Sequence, residues 1–188
     1  MAIRVTEAKK GMVINYEGEL YQIMKYEHVT PGNWRAINHL TLKNLRSGRQ
    51  KEVRMNSGEM IEPVFLERKE CQYLYRDSTG HVFMDTDNYE QFTLPADLLA
   101  DSMSYITENS TVGVVFNGTE PITVELPSTV VLEIAEAEEA VKGNSVSNLT
   151  KSAKLITGLA LKVPFHIKKG DMVKVSTETG EFMGRANE

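Results

Sequence analysis

Hydrophobic and polar positions alternate with period two along much of this chain, the spacing that puts successive side chains on opposite faces of a strand. Ala36 to Leu45 is the clearest run. Asn38, Leu40 and Leu42 share one face, and Ile37, His39, Thr41 and Lys43 share the other. Lys51, Val53 and Met55 keep the same period, and Cys71, Tyr73 and Tyr75 alternate with Gln72, Leu74 and Arg76. Glu17-Gly18 predicts a hairpin joining Gly11–Asn15 to Leu20–Tyr26, and Asn117-Gly118 predicts another between Thr111–Phe116 and Ile122–Leu126. Polar turns are expected at Arg46–Arg49, Asp77–Gly80, Asp85–Asn88 and Thr179-Gly180. Val130–Ile134 is a β-branched run, and Leu159, Leu161 and Val163 alternate with Ala160 and Lys162. Helix is scarce. Pro95–Asp101, with proline in its first turn, is the best candidate, and Glu136–Lys142 could add one turn before Gly143. Asn56–Pro63 reads as a loop or linker, and Gly143–Thr150 as a polar loop.

Short strands punctuated by turns every ~8–12 residues predict an all-β fold of small barrels. A chain of 188 residues accommodates three of them in series, since units of roughly 60 residues can fold alone. Breaks near Asn56–Pro63 and Pro127-Ser128 place the expected domains at 1–64, 65–128 and 129–188.

Charge sharpens this division. The net charge of −5 is the sum of +3 over residues 1–64, −8 over 65–128 and 0 over 129–188. An acidic total argues against indiscriminate coating of nucleic acid, while a basic first segment is compatible with local RNA contact. Lys25, Lys43, Arg46, Arg49, Lys51 and Arg54 are its basic candidates, some for phosphate and some for solubility at strand edges.

The chemistry of catalysis is missing from the pattern. Cys71 is the single cysteine, so no intrachain disulfide is expected, as suits a reducing cytoplasm. His28, His39, His81 and His166 are scattered without metal-ligand spacing, and neither a phosphate-binding loop nor a nucleophile elbow is present. Asp77, Asp85 and Asp87 are expected to cap turns rather than hold calcium. No run of about 18 apolar residues suggests a membrane helix, and Met1–Val13 lacks the apolar core of a signal peptide. A non-enzymatic protein without cofactor or metal is expected, located in the cytoplasm.

One segment is more specific than all of this. Residues 151–170 place Lys151, Ala153, Gly158, Leu161, Val163-Pro164, Ile167 and Gly170 at fixed gaps that match the signature of bacterial translation elongation factor P. Gly11-Met12 with Glu17-Gly18-Glu19, the run His28–Gly32, Leu42–Leu45 with Ser47-Gly48, and Pro127–Ile134 with Val141–Gly143 resemble further parts of that family. The resemblance spans the whole chain. It implies an SH3-like (KOW-type) first domain and two OB-fold domains, arranged like the L of tRNA. It also implies a protein that contacts both ribosomal subunits and the peptidyl-tRNA. From there it promotes slow peptide bonds, above all between consecutive prolines, with no role for DNA or membrane. A divergent paralogue with another ribosomal role, and a generic OB-fold RNA-binding protein, are the alternatives.

The resemblance makes Pro31, Gly32, Asn33, Trp34 and Arg35 the tip that approaches the peptidyl-tRNA. The family commonly has a lysine or arginine, often modified, directly after Pro-Gly. Asn33 stands there in this chain, so a lysine modification has no lysine to act on at that position. Arg35 is the remaining basic candidate, for modification by an unknown enzyme or for phosphate contact. Trp34 could stack on an RNA base or fold back over the hairpin. Gly143, Asn144 and Ser145 stand where the family loop often reads Gly-Asp-Thr, a possible second RNA contact that has lost one charge. Within the signature, Val163-Pro164 and Gly170 are expected to serve barrel geometry.

Overall fold

The computed structural model describes residues 1–32, 35–139 and 150–186. The described residues form sixteen strands in three sheets, with one turn of α-helix and two short 3₁₀ segments. The chain divides into two compact units, Met1–Lys69 with Val114–Thr123 and Glu70–Gly113 with Val124–Glu188.

The first sheet contains β1 (Ile3–Arg4), β2 (Val13–Tyr16), β3 (Glu19–Val29), β4 (Ile37–Asn44), β5 (Gln50–Asn56) and β6 (Met60–Pro63), in the order β1-β6-β2-β3-β4-β5. Glu17 (φ 53°) and Gly18 (φ 83°) give the β2–β3 turn the two left-handed residues that a tight hairpin requires. Asn38, Leu40, Leu42 and Asn44 are buried on one face of β4, as its alternation predicts. The leucines join Val5, Ile14, Ile23 and Ile61 in the core. Part of the segment expected as a linker is instead β6, which pairs with both β1 and β2. Ile61 supplies the buried anchor there, and Pro63 at the strand end lacks only a donor the ladder can spare.

The second sheet has the order β11-β10-β7-β8-β9, from β7 (Glu67–Arg76), β8 (His81–Asp85), β9 (Gln91–Leu94), β10 (Thr111–Asn117) and β11 (Glu120–Glu125). Cys71 and Tyr73 are buried but Tyr75 is 48% exposed, because a register shift between Tyr73 and Tyr75 breaks the period-two pattern. The predicted helix shrinks to α1 (Ala96–Leu99) followed by a 3₁₀ segment, Ser102–Tyr105, with Pro95 at the N-cap. The Tyr73 hydroxyl lies 3.2 Å from His81 Nδ1. Burial, helped by the nearby Arg76 charge, holds the His81 pKa below its ordinary value, and burial raises that of Tyr73.

The third sheet, β14-β13-β12-β15-β16, comprises β12 (Thr129–Ala137), β13 (Thr150–Leu155), β14 (Ala160–Pro164), β15 (Met172–Ser176) and β16 (Phe182–Arg185). Its edges β14 and β16 approach each other, curling the sheet around Leu132, Ile134, Leu155, Val163, Ile167, Val173 and Val175. Glu136 and Ala137, expected to start a helical turn, continue β12 opposite Lys154 and Ala153. Residues 140–142 of that expected turn lie outside the described residues.

Candidate nucleic-acid interface

The eleven residues of β3 outrun the four of β2. β2 pairs with Glu19–Gln22, whereas the far half of β3 continues against β4 through Lys25↔Thr41, Tyr26↔Leu40, Glu27↔His39, His28↔Asn38 and Val29↔Ile37. β5 follows along the other side of β4 as far as Ile37↔Asn56. The result is a three-stranded arm, with a register shift between Ile23 and Lys25 where β3 outruns β2, and with Tyr26, Leu40 and Met55 still packed in the core beyond it.

At its end, Thr30, Pro31, Gly32 and Arg35 are exposed. Gly32 has φ +53°, the positive value that a turn after proline requires and that glycine adopts without cost from a Cβ. Asn33 and Trp34 lie outside the described residues. Arg35 has no ion pair among the described residues. A guanidinium so placed offers planar donors to a phosphate or carboxylate.

Charge on the rest of the sheet is more balanced than the composition suggests. Lys25 Nζ lies 2.8 Å from Glu27, a contact that raises the lysine pKa and lowers that of the carboxylate. Lys51 Nζ donates to Glu17 at 3.0 Å, which raises its pKa, and sits 4.4 and 4.6 Å from the ring centres of Tyr16 and Tyr21. Arg46 donates to Glu120. Of the basic candidates on this sheet, Lys43, Arg49 and Arg54 have no ion pair among the described residues, so with Arg35 they are not already neutralised by a carboxylate. An open cavity of about 460 Å³ at the β4–β5 turn is lined by Glu19, Tyr21, Asn44, Arg46, Arg49 and Lys51.

The second nominated contact, Gly143-Asn144-Ser145, lies outside the described residues. The signature beside it is structural where it is described. Val163 and Ile167 are fully buried, and Lys151, Ala153 and Leu161 nearly so. Gly158 and Gly170 have φ of 92° and 89°, and the Gly170 amide donates to the Ile134 carbonyl at 2.8 Å. Among the described residues, no group of three or more His, Cys, Asp or Glu could hold a metal ion, and no helix is long and apolar enough to cross a membrane. Sequence reasoning missed Asn38. Its amide is buried in phase with Leu40 and Leu42, and an asparagine among inward-facing leucines was the available signal.

Comparison with known proteins defines the class first. Residues 4–61 match the elongation factor P KOW-like domain, 66–124 its OB domain and 130–185 its C-terminal domain. The fold resembles that of eukaryotic translation initiation factor 5A from Methanococcus jannaschii, with a TM-score of 0.54 and 17% identity over 68% of this chain and 92% of that one. The molecule is therefore an all-β translation factor of KOW and OB construction, not an enzyme. Elongation factor P of Chloroflexus aurantiacus is 41% identical over 182 residues, 96% of each chain. That of Thermotoga maritima is 41% identical over 98% of this chain and all of its own. The chain belongs to the elongation factor P family.

Proposed function

We propose that this protein binds the ribosome beside the peptidyl-tRNA and relieves stalling at consecutive prolines. The observation that supports this most is the exposed end of the β3–β4 arm, with Arg35 available, in a chain matched to elongation factor P along almost its whole length. Proline is a constrained secondary amine, and its fixed φ limits the geometries of the nascent chain. A factor that steadies the peptidyl ester in an attack-ready pose can lower the barrier by several kcal/mol without supplying acid or base. In this reading Pro31, Gly32, Asn33, Trp34 and Arg35 form the tip, and Gly143, Asn144 and Ser145 form a second RNA contact. Domains 1–64, 65–128 and 129–188 span the two ribosomal subunits in the cytoplasm, and DNA is not a partner.

The test is peptide-bond formation on a Pro-Pro-Pro message in a reconstituted translation system. A rate increase on adding the factor is expected. Ribosome binding without a rate increase would instead favour a paralogue serving another step, a reading for which Asn33 at the family's basic position is the specific observation.

A further inference from the structure

Asn38 is fully buried, on the inward row of β4 that also carries Leu40, Leu42 and Asn44. An amide in such a place costs about 1–3 kcal/mol unless its hydrogen bonds are made. Here all are made. Nδ2 lies 3.2 Å from the Met55 carbonyl and 3.3 Å from Ser57 Oγ. Oδ1 lies 2.7 Å from the Tyr26 hydroxyl and 2.8 Å from His28 Nδ1.

The orientation of this amide follows from its partners. A carbonyl can only accept, so the atom facing Met55 must be the NH₂ group. Oδ1 therefore faces Tyr26 and His28, which fixes Tyr26 as a donor and puts a hydrogen on His28 Nδ1. Ser57 Oγ accepts from Asn38, which frees its own hydrogen for the Ala36 carbonyl, 3.4 Å away in a long bond. Ala36 directly follows Arg35. The network thus ties β3, β4 and the turn after β5 to the backbone next to the exposed guanidinium. An aliphatic residue at 38 would fill the same space, but apolar packing lacks the angular preference of hydrogen bonds.

We propose that Asn38 is a positioning residue: through His28 and Ser57 it sets the direction in which the β3–β4 arm presents Arg35. This rests on the function proposed above, in which geometry at the tip is the whole contribution of the factor. A buried, fully satisfied polar network is suited to this, because it admits one arrangement rather than several.

The test combines Ser57→Ala, Ser57→Thr and Asn38→Ala in the full-length protein. For Asn38→Ala, the saturating rate on the Pro-Pro-Pro message is expected to fall about tenfold, as displaced reacting groups do. Ser57→Ala should fall less, about threefold, and Ser57→Thr, which keeps the hydroxyl, should recover the rate. The factor concentration giving half the effect should stay within about twofold of wild type, because binding surfaces are untouched. Amide hydrogen exchange at Ala36 and Ile37 should quicken about fivefold or more in Ser57→Ala.

A change in half-maximal concentration with an unchanged saturating rate, or unchanged rate and exchange in Ser57→Ala, overturns the proposal. So does failure of Ser57→Thr to recover. If Asn38→Ala does not fold, the Ser57 pair decides. If wild type gives no acceleration, the proposed function fails instead, and the exchange measurement still judges the network.

Discussion

Arg46 Nη2 donates to the Glu120 carboxylate, joining the β4–β5 turn to the β10–β11 turn across 74 positions of sequence. Both side chains are more than half exposed, so the pair lies in a well-screened environment. Glu120→Lys should cost about 0.5–1 kcal/mol in urea denaturation at low salt, and less in 1 M salt. The double reversal Arg46→Glu with Glu120→Lys should recover most of the loss. A double-mutant cycle with no coupling would show that the two turns are held by other contacts.

Gly80 and Gly118 both have positive φ, but their surroundings separate them. A Cβ on Gly80 (φ +149°) would stand 2.2 Å from the Leu94 carbonyl oxygen, whereas nothing lies within 4 Å of one on Gly118 (φ +63°). Gly118→Ala should cost about 1–2 kcal/mol, the penalty of the left-handed conformation alone. Gly80→Ala adds a backbone clash and should exceed about 3 kcal/mol, enough to threaten folding of that sheet. Thermal denaturation of both variants compares them directly.

His81 gives stability a pH dependence. Its pKa in the folded protein lies below the ordinary histidine value, so the unfolded chain binds more protons once the pH drops through that ordinary value, about 6.5. The neutral imidazole therefore contributes fully above this range, and its contribution is lost as pH falls toward the folded-state value. Asp77 and Asp171 act in the same direction at lower pH. Their carboxylates are held below the ordinary value, Asp77 mainly by hydrogen bonds from Thr79 and Asp171 mainly by the Lys168 amide. The melting temperature should decline from pH 7.5 to pH 5.5, and His81→Gln should decline less over that interval. Equal slopes would remove His81 as the cause.

Ile167 belongs to the family signature and is fully buried in the third sheet's core. Ile167→Ala should cost about 2–5 kcal/mol, by lost burial and an unfilled cavity. Arg35→Ala should leave stability within about 0.5 kcal/mol of wild type, because its side chain is exposed. Under the proposed function it should nevertheless slow Pro-Pro bond formation. Denaturation and the translation assay, run on the same two variants, separate a folding role from a tip role.

Much of this fold was legible because its strands are long enough for period two to register, as in Ile37–Asn44, or are joined by turns with a marked preference, as at Glu17-Gly18. Three places escaped. Met60–Pro63 is too short, and too close to Ser57-Gly58 and Pro63, to stand out as a strand, and its pairing with β1 and β2 is set by tertiary contact. Tyr75 is in phase with Tyr73 in sequence, but the register shift between them turns it outward. Glu136-Ala137 has good helical propensity, yet pairing with β13 decides its state. For the interface, the tip is an expectation carried by resemblance, and the basic residues are candidates read from composition. Sequence could not show which cations are already neutralised, since Arg46 meets Glu120 and Lys51 meets Glu17 only after folding.

The first sheet pairs Ile3 with Ile61 and Arg4 with Met60. During synthesis, then, β1 waits until almost all of residues 1–64 have emerged before it can zip against β6. Such delayed pairing slows closure and leaves an open edge on the nascent chain in the meantime. A chain arrested before Met60 clears the exit would carry the β2–β3–β4–β5 meander with Ile3 unmatched. Protease sensitivity of the amino-terminal residues in arrested chains should persist until Met60 and Ile61 clear the exit.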